Sequence, residues 1–116
     1  MAKLMNKTKN KLVAPEIAIA TSFYSRGRGL LGRKLLPREE GLWIKPCKSI
    51  HTFFMNFPID AAFVDKNLRV LAVYGKLNPW RLAMPMNFKV HSVFELAGGV
   101  LTETETEIGD ELYVVP

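Results

Sequence analysis

The chain contains seven short runs of apolar, β-prone residues, separated by segments rich in Gly, Pro and Asn. Runs of this length that contain Val, Ile, Phe and Thr are typical of strands, and the residues between them are typical of turns. Seven strands with one short helix predict a mainly β domain, a mostly antiparallel barrel or sandwich. The predicted strands are Leu12–Ala20, Leu42–Lys45, Ser49–Met55, Ile59–Val64, Arg69–Tyr74, Val90–Leu96 and Leu112–Val115.

One short helix is predicted near the amino end of the chain. Thr21 or Ser22 can cap a helix that runs towards Leu31. Gly27 and Gly29 weaken this helix by about 1 kcal/mol each relative to Ala. The helix is therefore expected to be short.

Two later segments are less regular. Asn78–Met86 contains two prolines and is predicted to be an irregular loop. Thr102–Glu107 alternates Thr and Glu. It fits either a strand that points three carboxylates one way or an acidic helical turn, and propensity does not choose between them.

The 116 residues are enough for one domain with one core. Residues 1–11 are rich in Lys and Asn and predict a flexible basic tail, which leaves residues 12–116 as a single β domain. The tail lacks the apolar core of a secretory signal, and no window approaches the ~18 apolar residues that span a bilayer. One cysteine excludes an internal disulfide and fits a reducing compartment. We therefore expect a cytoplasmic protein with no membrane partner, and its oligomeric state stays open.

Positive charge is concentrated in the first part of the chain. Residues 1–48 hold eleven Lys or Arg against three Glu, a net charge of +8, whereas residues 49–116 have a net charge of −3. A basic half can favour nucleic acid or another anionic partner. Because no aromatic–basic interleaving or nucleic-acid motif accompanies the charge, a nucleic-acid partner is not expected.

A glycine motif, Gly27-Arg28-Gly29-Leu30-Leu31-Gly32, matches the dinucleotide-binding pattern G-x-G-x-x-G. That pattern needs a long helix after the glycines, whose amino end holds the pyrophosphate. Pro37 follows too soon for such a helix, and no βαβ unit follows. No cofactor is therefore predicted.

The segment Gly41–Asp60 carries the only cysteine, Cys47, and one of the two histidines, His51. In an extended chain the Cα atoms of these two residues would lie about 13 Å apart, too far for one zinc ion or a direct hydrogen bond. Two ligands are also too few for a metal site. The pattern favours a packed thiol and a hydrogen-bonded histidine, and it predicts no metal and no catalytic residue.

Asp60 and Glu95 interrupt apolar strands, where an isolated charge is unfavourable. The carboxylates could form an acid–base pair, but structural partners are the favoured interpretation: Arg28, Arg33 or Arg81, or backbone amides at a turn. Trp80, next to Arg81 in a predicted loop, could instead form a stacking platform for a ring or sugar.

The leading hypothesis is a non-catalytic binding module, a β-barrel whose one open end holds a small polar or anionic ligand. One alternative is a hydrolase or isomerase that uses Asp60 or Glu95 with His51. A second alternative is interaction with nucleic acid or protein through the basic amino-terminal half. The residues predicted around the ligand are Arg28, Arg33, His51, Asp60, Trp80, Arg81 and Glu95.

The ordered motifs resemble the domain-of-unknown-function family 192, also called UPF 0127, over residues 17–115. The resemblance implies a compact jelly-roll-like β fold with a short helix near its amino end, and it implies no activity. The motifs that carry it are Thr21 with Arg28-Gly29-Leu30-Leu31-Gly32-Arg33, Gly41-Leu42-Trp43-Ile44, Phe53-Phe54-Met55, Pro58-Ile59-Asp60 with Phe63 and Asp65, Asn78-Pro79-Trp80, Phe94-Glu95-Leu96 with Gly99, and Gly109-Asp110.

The chain departs from many members of that family near its central Phe residues. Those members carry Phe-Trp-Met-Lys-Asn-Thr and one more residue before Pro, whereas this chain has Phe54 in place of Trp and a shorter connection to Pro58. It resembles instead a branch with Cys and Ile-His-Thr before the Phe residues. Ligand contacts made by the longer segment are therefore not carried over.

Overall fold

The computed structural model describes residues 2–116, apart from the side chain of Phe23. Seven of its nine strands form one sheet in the order β6-β5-β8-β3-β2-β1-β9, and β4 and β7 form a second, two-stranded sheet. The strands are β1 Ala2–Asn6, β2 Lys11–Ala20, β3 Glu40–Ile44, β4 Ile50–His51, β5 Ile59–Val64, β6 Val70–Leu77, β7 Leu82–Ala83, β8 Ser92–Ala97 and β9 Leu112–Val115, and the helices are α1 Phe23–Arg28 and α2 Val100–Glu103.

The large sheet is mostly antiparallel and curls towards closure. Only the pairing of β2 with β3 is parallel among the strand pairs of residues 2–116, because α1 and the segment after it carry the chain across between these strands. The edge strands β6 and β9 approach each other at a bridge between Arg69 and Glu111. The expectation of a mainly β, barrel-like domain is therefore confirmed.

The core lies around the two central strands, β5 and β8. All six residues of each strand are buried, so neither strand shows the alternation of a half-exposed sheet. Phe63 and Phe94 are fully buried, and Trp43 on β3 stacks on Phe94 with 5.0 Å between the ring centroids. A charged side chain on β5 or β8 is consequently placed inside the protein.

The helix α1 begins where the sequence predicts but ends earlier. Ser22 caps it by accepting a hydrogen bond from the backbone N–H of Ser25, and the Ser25 hydroxyl accepts one from the backbone N–H of Ser22. The helix ends at Arg28 rather than near Leu31, because Gly29 takes a positive φ of 51°.

The amino-terminal segment differs from the predicted flexible tail. Residues 2–6 form β1, which pairs with both β2 and β9. Leu4 is fully buried between exposed Lys3 and partly buried Met5, and the side chain of Asn6 donates hydrogen bonds to Thr106 Oγ1 and Asp110 Oδ2. The Lys-rich composition obscured this strand because its inward positions are only Ala2, Leu4 and Asn6.

Two central segments also differ from the prediction. The predicted strand Ser49–Met55 is limited to β4, because the chain turns at Thr52 and Phe54 has a positive φ of 67°. The predicted irregular loop Asn78–Met86 contains the short strand β7, which pairs with β4. Thr102–Glu107 forms the end of α2 and the turns that follow, so the helical-turn alternative is the one observed.

Neither helix formed by residues 2–116 is long and apolar enough to cross a membrane.

Candidate functional site

A cavity of about 220 Å³ lies between the α1 segment and the strands β3, β4 and β8. Its apolar wall includes Ile44, Ile50 and Met55, all of which are buried core residues. Polar groups interrupt this wall, which distinguishes the cavity from an ordinary packing defect. Those polar or charged lining residues are Arg26, Arg28, Cys47, Ser49, His51 and Glu95.

Glu95 is the buried charge-bearing group of the cavity. It sits on β8, opposite Leu42 of β3 and Ala61 of β5, so strands on both sides hold its backbone. The residue is 3% exposed, and its Oε1 atom is buried without a hydrogen-bond partner among residues 2–116. Desolvation by burial raises the pKa of Glu95 to about 7. Near neutral pH the carboxyl can therefore either accept or donate a proton.

Gly29 allows the α1 segment to approach Glu95 closely. A Cβ atom built on this glycine would lie 3.6 Å from Oε1 of Glu95, and the φ of Gly29 is 51°. A larger residue would be strained here and would fill space beside the carboxyl. This glycine belongs to the G-x-G-x-x-G motif, whose residues 27–31 form part of the cavity wall.

Two arginines of α1 add positive charge to the cavity wall. Arg28 is exposed, whereas Arg26 is partly buried and its Nε has no hydrogen-bond partner among the described residues. Arg33, the other arginine predicted from this region, does not line the cavity and pairs instead with Glu40 at 3.1 Å. Sequence reasoning missed Arg26, which lies on α1 two residues before the predicted Arg28.

Cys47 and His51 line the same cavity but are engaged locally. The Cys47 thiol donates to the carbonyl of Ser49 at 3.1 Å, and burial raises the pKa of the thiol. His51 Nδ1 accepts a hydrogen bond from the backbone N–H of Phe53 at 3.3 Å, and the two rings stack. Within residues 2–116 no group of three His, Cys, Asp or Glu side chains could hold a metal ion.

Asp60 lies outside the cavity and has a complete set of hydrogen bonds. Its Oδ1 accepts from the backbone N–H groups of Lys76 and Gly99 at 2.7 and 2.9 Å, and its Oδ2 accepts from that of Leu101 at 2.8 Å. These bonds tie β5 to β6 and to the start of α2. The buried carboxylate thus connects three elements of the fold.

Trp80 and Arg81 also lie away from the cavity. Trp80 is exposed and contacts the rings of Phe53 and Phe54, with centroid distances of 5.9 and 4.6 Å. The exposed Arg81 side chain bonds only to the carbonyl of Trp80 among the described residues, at 3.4 Å. Of the seven residues predicted around a ligand, the structure brings Arg28, His51 and Glu95 to one cavity and places the other four elsewhere.

Comparison with known proteins agrees with this fold. The chain matches the DUF192 family, described as "Uncharacterized ACR, COG1430", over residues 4–114. It is 35% identical to a UPF0127 protein of Pyrococcus horikoshii, covering 94% of the chain and 96% of the relative. A UPF0127 protein of Thermococcus sibiricus is 34% identical, over 94% of the chain and 72% of the relative.

Two solved structures share the fold at low sequence identity. One is a protein of unknown function from Novosphingobium aromaticivorans, with a TM-score of 0.82 and 19% identity over 97% of the chain and 82% of that protein. The other is described as a putative transcription regulator from Sinorhizobium meliloti, with a TM-score of 0.83 and 16% identity over 97% of the chain and 91% of that protein. Because the family match covers nearly the whole sequence, the chain belongs to the DUF192 (UPF0127) family, whose function is unknown.

Proposed function

We propose that the protein is a small-molecule-binding module whose ligand occupies the cavity beside α1 and hydrogen-bonds to Glu95. The observation that supports this is the buried Oε1 of Glu95, which borders the cavity and has no partner among residues 2–116. A buried polar atom without a partner is unfavourable. A ligand that donates a hydrogen bond to this atom would remove the penalty.

The volume of the cavity limits the size of the ligand. The cavity has a volume of about 220 Å³. Pockets for drug-sized ligands are larger, roughly 300–1,000 Å³. The expected ligand is a compact polar molecule rather than a nucleotide cofactor.

The charges around the cavity suit a small polar or anionic ligand. Arg26 and Arg28 offer guanidinium groups that favour an anionic group. Glu95 would repel that group when ionised, but its pKa of about 7 leaves a substantial neutral fraction near neutral pH. In the neutral form its carboxyl O–H donates a hydrogen bond. The preferred ligand therefore presents an anionic group to the arginines and a hydrogen-bonding group to Glu95.

A thermal-shift screen of small polar metabolites tests the proposal. A ligand at 100 times its dissociation constant stabilises the folded state by about 2.7 kcal/mol. With an unfolding entropy of roughly 2.1 cal/mol/K per residue, this raises the Tm of a chain of 116 residues by about 11 °C. The same ligand should produce a much smaller shift in Glu95→Leu, which removes both hydrogen-bonding oxygens of the side chain.

Glu16→Leu is the matched control, because Glu16 is exposed and is not among the residues that line the cavity. It should respond to the ligand as the wild type does. If the screen finds no stabiliser, or if Glu95→Leu responds as strongly as the control, Glu95 is not part of a ligand site.

A second candidate function, a hydrolase or isomerase, is favoured by the pKa of Glu95. A carboxyl with a pKa of about 7 is suited to general acid–base chemistry at neutral pH, and His51 borders the same cavity. Any ligand found in the screen can be followed by NMR for chemical conversion. Conversion with a pH–rate profile that Glu95→Gln abolishes supports the enzyme, whereas a bound and unchanged ligand opposes it.

Two further expectations stay predictions. Interaction through the basic amino-terminal half is best tested by charge reversal at exposed Lys3 and Lys7, since deletion of residues 2–6 would remove β1. Loss of salt-dependent binding in these variants would support it. A cytoplasmic location is tested by fractionation of cells that express the chain.

A further inference from the structure

Seven large apolar side chains are exposed on strand β7 and on the loops next to β4 and β7. Met86 is 92% exposed and Phe88 is 85% exposed. Monomeric soluble proteins rarely expose a large contiguous apolar patch unless it has a binding role. We call this group the apolar loop surface, and its members are Phe53, Phe54, Trp80, Leu82, Met84, Met86 and Phe88.

The β4–β7 sheet turns this surface outward. Ile50 pairs with Ala83, and both are buried, whereas His51 pairs with Leu82, and both are exposed. Directly opposed residues of antiparallel strands point to the same face of a sheet. The small sheet therefore packs its inner face on the core and presents its outer face, with Leu82, to the surroundings.

Three of the aromatic members, Phe53, Trp80 and Phe54, form a continuous row with the ring of His51. Ring centroids are separated by 5.0 Å between His51 and Phe53, by 5.9 Å between Phe53 and Trp80, and by 4.6 Å between Trp80 and Phe54. Phe54 and Trp80 both have positive φ, which is uncommon for bulky residues.

Hydrogen bonds to buried Thr52 hold this row in place. The backbone N–H of Trp80 donates to the Thr52 carbonyl at 2.9 Å, and that of Arg81 donates to Thr52 Oγ1 at 2.9 Å. The Thr52 hydroxyl donates to the carbonyl of Asn78 at 2.6 Å. The exposed rings are thus fixed by the fold rather than left at the end of a loose loop.

The methionine part of the surface is joined to a basic rim. Residues 84–88 and Lys48 line one shallow groove, and the Lys48 ammonium donates to the carbonyl of Phe88 at 3.3 Å. The neighbouring groove beside Phe88 is lined by Lys48, Lys66 and Lys89 and by one carboxylate, that of Asp65. An occupant of this surface must therefore combine apolar and anionic character.

We propose that the apolar loop surface docks peripherally onto an anionic lipid bilayer. Trp and Phe favour the membrane interface, and Lys and Arg are attracted to anionic headgroups. The expectation of no membrane partner rested on the lack of a spanning segment and does not concern this mode of contact. The inference is independent of the proposed ligand cavity.

Two other occupants fit the surface less well. Single-stranded nucleic acid needs several free ring faces for base stacking. Phe53, Phe54 and Trp80 contact one another, and three of the other four members, Leu82, Met84 and Met86, offer no ring. A second copy of the chain would bring two basic surfaces together, which like-charge repulsion opposes.

Co-sedimentation of the full chain with vesicles tests the proposal. Vesicles of equal parts phosphatidylglycerol and phosphatidylcholine should bind the protein, and vesicles of phosphatidylcholine alone should bind it about tenfold more weakly or not at all. The double variant Met86→Ser/Phe88→Ser should bind the anionic vesicles about tenfold more weakly. Ile108→Ser, which also removes an exposed apolar side chain, is the matched control and should bind as the wild type does.

A second measurement does not depend on a variant that folds. Trp80 is 56% exposed on the proposed contact surface, so brominated phosphatidylglycerol vesicles should quench the tryptophan fluorescence of the wild type. Absence of vesicle binding or of quenching, equal binding by the folded double variant, or binding to single-stranded RNA without binding to vesicles would each overturn the proposal.

Discussion

The pH dependence of the free energy of unfolding directly tests whether the pKa of the Glu95 carboxyl is raised in the folded protein. Burial on β8 raises the pKa of this group from 4.5 to about 7, because the ionised form loses its hydration. The folded protein then holds the proton more tightly than the unfolded chain does. The stability that this protonation contributes to the folded state is fully present below about pH 4.5 and is lost as the pH rises through about 7.

The size of the effect follows from the two pKa values. The interval between 4.5 and about 7, at about 1.4 kcal/mol per pH unit, corresponds to about 3 kcal/mol. Glu95 is only 3% exposed, so solvent does not screen the effect appreciably. Because domains of this size have a net stability of roughly 5–15 kcal/mol, the loss should be easy to measure.

Urea unfolding of the wild type and of Glu95→Gln at several pH values provides the assay. Gln does not ionise, so the stability of the wild type relative to this variant should fall by about 3 kcal/mol between about pH 4.5 and pH 8. The two proteins are identical at every other position, so the difference isolates the effect of residue 95. Glu16→Gln, at an exposed site, should keep a constant difference from the wild type. A constant difference for Glu95→Gln as well would refute the reasoning from burial.

Three further substitutions test the packing, each by urea unfolding. Asp60→Asn should destabilise the protein by about 3 kcal/mol, since the carboxylate accepts three backbone N–H groups; unchanged stability would show that these bonds contribute little. Gly41→Ala should cost about 1–3 kcal/mol, because its Cβ would lie 2.6 Å from a side-chain carbon of the core. Gly75→Ala, with nothing within 4 Å of the new Cβ, is the control and should be nearly neutral. Leu4→Ala should cost about 2–5 kcal/mol, whereas Leu12→Ala, at a position 45% exposed, should cost much less; equal effects would argue against β1 as part of the core.

Strands with strong local signals were predictable from the sequence. The predicted bounds of β5 and β9 match the structure, and β2 begins one residue earlier than predicted. These segments contain Val, Ile and Phe, and Gly, Pro or Asn lies close to one or both of their ends. Ser49–Met55 has a similar composition, yet most of it is not a strand, because Thr52 bonds to the Asn78–Arg81 loop instead of to a neighbouring strand. Strand propensity depends on neighbouring residues and therefore cannot predict these hydrogen bonds to a distant loop.

The candidate functional site could be predicted only in part from the sequence. The position of Glu95 inside an apolar strand indicated that its side chain would be buried. The same pattern did not indicate which groups would form hydrogen bonds with the carboxyl. Asp60 has the same pattern on β5, yet α2 and β6 surround its carboxylate with N–H donors. The same sequence pattern thus led to two different environments. Asp60 has hydrogen-bond partners for both carboxylate oxygens, whereas Oε1 of Glu95 has none among residues 2–116 and borders a cavity.

The order of apolar runs and turn residues by itself determined that this chain is a mainly β protein, because strand propensity and turn chemistry act over a few neighbouring residues. Tertiary structure decided the pairing of β1 between β2 and β9, the different surroundings of Asp60 and Glu95, and the outward row of aromatic rings. Each of these depends on contacts between residues far apart in the chain. Such contacts form only when the sheet curls and brings its loops together.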